Sequence, residues 1–83
     1  MKDEPQVAMD VREALLRSKT GRMTLKAIEA KVRHMREARG EPVPVNLQAS
    51  IRCQAQRRCA RCKQWQGKED WFRNPNPGVW EAI

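Results

Sequence analysis

Pro42-Val43-Pro44 is the feature that most limits how this chain can fold. Each proline disfavours helix at the residue before it, and Gly40 stands just upstream as a helix stop. Glu41 to Val45 is therefore a short extended connector that no helix can cross. Two further breaks fall at Thr20-Gly21 and at Asn74-Pro75-Asn76-Pro77-Gly78. Between the early breaks lie stretches of helix length. After Lys63 only strand-length pieces remain, and the apolar spacing shortens to two. The pattern predicts an α+β domain.

Taken in order, Met1 to Gln6 is a polar lead containing Pro5, and the folded domain runs over residues 7–83. Val7, Val11, Ala14 and Leu15 predict a first helix over 7–19, with Asp10 and Glu13 early and Arg17 and Lys19 late, as the helix dipole favours. Met23-Thr24 opens a second helix, Thr24 being its N-cap. Leu25, Ile28, Val32 and Met35 form the apolar side of that helix, and Glu29 can pair with Arg33. Asn46 is the expected N-cap of a third helix, with Leu47, Ile51, Ala55 and Cys62 on its dry side. Arg58 falls close to that stripe, so the helix is expected to end or tighten between Arg58 and Cys62. Trp65 and residues 70–73 then read as β-like pieces flanking Gly67, residues 74–78 as a five-residue turn, and residues 79–83 as a final strand. Trp80 and at least one of Trp71 and Phe72 are expected in the core. Three helices followed by a two-stranded hairpin describe a winged helix.

Charge points to the partner. The chain carries a net charge of +7 and a pI near 10, which favours a polyanion. Arg52, Arg57, Arg58, Arg61 and Lys63 lie within residues 46–63 with no acid among them, so five of the seven net positive charges sit there. Ala49, Ser50, Arg52, Cys53, Gln56 and Arg57 face away from the apolar stripe. A helix with one narrow dry side and one cationic, amide-rich side suits the DNA major groove. The expected contacts with double-stranded DNA are Asn46, Gln48, Ser50, Arg52, Gln56, Arg57, Arg61, Lys63 and Arg73, with base reading assigned to Gln48, Ser50, Arg52 and Gln56. No run of apolar residues reaches membrane-spanning length and no apolar leader is visible, so a cytoplasmic protein associated with DNA is expected. An odd cysteine count fits free thiols in a reducing compartment.

The stretches Ala14-Leu15-Leu16-Arg17, Met23-Thr24-Leu25-Lys26-Ala27-Ile28, Leu47-Gln48-Ala49-Ser50-Ile51-Arg52 and Phe72 to Glu81 together resemble the HARE-type winged helix-turn-helix. That family accompanies restriction endonucleases and some chromatin and transcription factors. The resemblance spans about residues 7 to 83, and its most specific pieces are Thr24-Leu25-Lys26 with Ile28 and Gly78-Val79-Trp80-Glu81. It implies a DNA-binding module with an interest in modified bases, acting as a small regulator or as the targeting domain fused to a catalytic one. By position, Ala49 to Arg52 would enter the groove and Arg73 to Gly78 would form the wing. The sequence departs from the family in its cysteines and in a wing tip without charge beyond Arg73.

Other chemistries compete for the same residues. Cys59-Ala60-Arg61-Cys62 has the spacing of half a zinc site, which needs two more ligands; Cys53 and His34 are the remaining candidates. On a continuous helix Cys53 points away from Cys62, so no metal or other cofactor is expected. Ser50 lacks an activating His or acid, and Glu69-Asp70 stands outside any nuclease constellation, so a binding module and not an enzyme is expected. A protein-interaction winged helix, or a zinc-stabilised module using Cys59 and Cys62, are the alternatives.

Overall fold

The protein is described here by a computed structural model covering residues 4–83, with side chains from Gln6 onward. It holds three helices and a three-stranded antiparallel sheet: α1 (Glu4–Arg17), β1 (Arg22–Thr24), α2 (Leu25–Ala38), α3 (Leu47–Arg57), β2 (Phe72–Asn76) and β3 (Val79–Ala82), with sheet order β1-β3-β2. The expected α+β class is observed. Met1 to Asp3 of the expected lead lie outside the described residues, and from Glu4 the chain is already helical. Pro5 falls in that first turn, where a missing N–H costs no intrahelical bond.

α2 is the best-defined helix because its ends are built from local chemistry. The Thr24 hydroxyl accepts from Ala27 N–H at 3.1 Å. At the other end Gly40, at φ +72°, lets its own N–H reach the Glu37 carbonyl while Glu41 N–H reaches that of Arg36. This is a Schellman motif, for which the left-handed conformation is the entry condition. Residues 41–44 follow without helix or strand, and Val45-Asn46 already turn the chain toward α3, one residue earlier than expected.

Two readings of the β region need correction. Met23-Thr24 leads into helix two as expected, Thr24 being its N-cap, but the same residues also close β1, an unexpected strand of three residues that pairs Met23 with Trp80. Asn74 to Asn76, expected as turn, belong to β2, and only Pro77-Gly78 turns the chain, with Gly78 at φ +78°. Pro and Asn suit a turn, but they are also tolerated on an edge strand with an irregular register, and β2 is an edge strand shifted between Arg73 and Asn76. No strand forms at Trp65. The hairpin tip is tied down, since Leu25 N–H donates to the Gly78 carbonyl at 2.7 Å.

One core joins all layers. Val7, Val11 and Leu15 from α1 meet Ile28 and Val32 from α2, Leu47 and Ile51 from α3, and Phe72 and Trp80 from the sheet. Each such side chain contributes about 1.5–3 kcal/mol on burial. The exposed ion pair Arg22–Glu81, by contrast, belongs to a class worth about 0–1 kcal/mol. Burial therefore carries the fold. Within the core lies an ion cluster: Asp10 and Arg36 are each about 97–98 % buried and 2.9 Å apart, Arg39 reaches Asp10 at 3.0 Å, and Arg36 Nε donates to the Pro42 carbonyl. Asp10 thus ties α1 to α2 and to the connector; because α1 begins at Glu4, it sits mid-helix and not early in the helix as expected.

Candidate nucleic-acid interface

α3 is held by one face. Leu47, Ile51, Gln54 and Ala55 are buried, which leaves Gln48, Ala49 and Arg52 exposed and Ser50, Cys53, Gln56 and Arg57 half-buried. Asn46 occupies the N-cap position and its carbonyl accepts from Ser50 N–H, but its side chain makes no capping bond and is exposed. With no cap at that end, α3 depends on tertiary packing more than α2 does.

The helix stops at Arg57, one residue before the expected window of Arg58 to Cys62, and the chain changes direction at Arg58. That change moves the cysteines off the helical phase. Cys59, not Cys62, enters the core, and Cys62 is only partly buried. Burial pushes the Cys62 thiol up to about 12, with the adjacent Cys59 thiol adding to the effect. Both line a cleft with Arg61, Arg73 and Glu81, yet Glu81 is already engaged by Arg22 at 2.7 Å. Among the described residues no group of three or more His, Cys, Asp or Glu is placed to hold a metal ion. His34 is exposed on α2.

The expected site residues divide by what their side chains already do. Arg52, Arg61 and Lys63 are exposed and form no salt bridge among the described residues. Asn46 and Gln48 join them on the exposed side. Arg73 behaves differently: its guanidinium grips Asp70 through two hydrogen bonds, at 2.5 and 3.1 Å. That contact, first among its causes, holds Asp70 below the usual carboxylate range and raises Arg73. Contact between Arg73 and a phosphate requires surrendering this pair. Arg58 is fully committed, donating to Glu69 at 2.9 Å and to the Gln54 side chain at 2.5 Å while lying 5.3 Å from the Trp71 ring centre. Arg12 covers the same ring at 5.0 Å.

Gln54 was missed by sequence reasoning, although its position continues the 47, 51, 55 stripe and sits one turn before Arg58. Trp65 and Lys68 are both exposed in the loop after α3. Only the placement of Glu69 and Asp70 against Arg58 and Arg73 shows which cations of this region remain available. Comparison with protein-family models, curated proteins and solved structures returned no match to this chain.

Proposed function

We propose that this domain is a winged helix that binds double-stranded DNA through α3. The element order α1-β1-α2-α3-β2-β3 with sheet order β1-β3-β2 is compatible with that fold, β2 and β3 being the wing. The observation that carries the reading is the asymmetry of residues 46–63. One side is buried against α1 and α2, the other presents Gln48, Ala49 and Arg52, and no carboxylate lies anywhere in the stretch. Arg61 and Lys63 extend the positive surface past the helix end and suit phosphates; Gln48 and Arg52 suit base edges. Ser50, Gln56 and Arg57 flank them. The hairpin adds less, because its tip carries no charge and is bonded to α2 through Leu25 and Gly78.

Titration of a labelled duplex at rising salt tests the proposal. Affinity should fall linearly on a log–log scale, and Arg52→Ala should weaken binding about 5- to 100-fold without lowering the melting temperature. Salt-independent binding, or unchanged affinity in Arg52→Ala, overturns the groove assignment. A second reading as a protein-interaction module is favoured by Met9 and Leu16, both exposed on α1 and lining one shallow surface with Arg12, Glu13 and Arg17. Absence of any duplex affinity would leave that surface as the functional one.

A further inference from the structure

We propose that the loop between α3 and β2 is a second contact site, in which Trp65 stacks on an unpaired nucleobase while Arg61, Lys63 and Lys68 hold the adjoining phosphates. This inference rests on the DNA reading of α3 and extends it to a ligand that offers an unstacked base. Residues 58–71 form a connection longer than most in compact domains. The loop is nevertheless pinned. Gln66 N–H donates to the Arg57 carbonyl at 3.2 Å, Trp71 N–H to the Arg58 carbonyl at 2.8 Å, and Ala60 N–H to the Asp70 carboxylate at 3.1 Å.

Trp65 stands apart from the other aromatic side chains. Phe72 and Trp80 are buried and Trp71 packs against the core, whereas Trp65 is 41 % exposed and outside that cluster. Its indole N–H is spent on the Glu69 carbonyl at 3.0 Å, so the ring is fixed and its remaining offer is an aromatic face. A fixed exposed ring loses little freedom on stacking, and stacking tolerates any base. The charge around it is equally one-sided. The loop's two carboxylates are taken, Glu69 by Arg58 and Asp70 by Arg73. Arg61, Lys63 and Lys68 are exposed and form no salt bridge among the described residues, although Arg61 adds to the field on Asp70. Trp65's chain neighbours are Gln64, Gln66 and Gly67, unlike the run of apolar residues that inserts into a lipid surface. An exposed aromatic face, in a loop whose carboxylates are both engaged and whose Arg61, Lys63 and Lys68 are exposed, fits a nucleic-acid strand.

An unpaired base can come from a single-stranded end or from a bulge, and the test separates them. Binding of the full chain is measured by anisotropy to a blunt duplex, to the same duplex with a thymidine overhang, and to one with a single bulged thymidine. At least one of the latter two should bind roughly 5- to 100-fold tighter than the blunt form. Trp65→Ala should abolish that preference, Trp65→Phe should retain part of it, and a Lys63→Gln/Lys68→Gln variant should reduce it without touching the ring. Circular dichroism confirms that each variant is folded. If blunt duplex is bound in an Arg52-dependent way but neither modified duplex is preferred, or if the preference survives Trp65→Ala, the loop site is overturned while the α3 reading stands. If no DNA is bound, both fall.

Discussion

α2 and α3 look alike by composition and differ in what their arginines do. Both are amphipathic and rich in basic residues. In α2 and at its end the arginines are answered from within the fold: Arg33 by Glu29 at 3.3 Å, Arg36 by buried Asp10, and Arg39 by Asp10 and Glu41. In α3 no acid is present, and Arg52 at its centre faces solvent. The ends contrast too. α2 is capped by Thr24 and closed by Gly40, while α3 has neither a side-chain cap nor a glycine stop. A count of positive charges does not tell which cations are already paired within the fold; the location of the carboxylates does.

The largest expected effect comes from breaking the buried Asp10–Arg36 pair. Asp10→Ala leaves the Arg36 guanidinium buried without its carboxylate and should cost about 3–5 kcal/mol in chemical denaturation. Removing both charges, as in Asp10→Leu with Arg36→Met, should recover most of that loss. A single variant as stable as the parent would mean that water or another group satisfies Arg36, and the contrast between the helices would lose its basis.

A smaller effect sharpens the comparison at the helix ends. Thr24→Ala should destabilise by about 1 kcal/mol, because a bonded cap is lost. Asn46→Ala should change stability by at most a few tenths of a kcal/mol, since its side chain makes no capping bond. Equal effects at the two positions would show that α3 gains a cap in solution.

The smallest expected effect concerns acid. Asp70 and Glu41 both lie below the usual carboxylate range, held there by Arg73 and Arg39 respectively. A depressed folded-state pKa contributes stability that is complete above the unfolded value and is lost as pH falls through the folded one. Both groups are solvent-exposed, so the contribution is modest. Melting temperature should decline on acidification below the carboxylate range, and Asp70→Asn should flatten part of that decline. An unchanged slope in Asp70→Asn would remove the Arg73 clamp from consideration.

Features written in neighbouring residues were legible in advance. Thr24 as a cap, Gly40 as a stop, the Glu29–Arg33 pair and the connector over 41–44 each depend on a few consecutive positions. β1 was not legible, because Arg22 to Thr24 has no strand character of its own and becomes one by pairing with β3, with Arg22 and Glu81 59 positions apart. The same holds for the candidate site. That residues 46–63 carry the charge surplus follows from their composition, and that α3 turns Leu47, Ile51 and Ala55 inward follows from helical period.

By itself, then, the amino-acid order determined the helical punctuation, the stripe that each helix buries and the stretch where positive charge accumulates, because these obey rules of one to four residues' reach. Tertiary structure alone decided which cations stay available. Arg36 and Arg39 meet Asp10 across 26 and 29 positions, Arg58 meets Glu69 across 11, and Cys59 enters the core only because the chain bends at Arg58. The physical reason is that a charge is neutralised by whatever lies within a few ångströms of it, and that neighbourhood is created by packing.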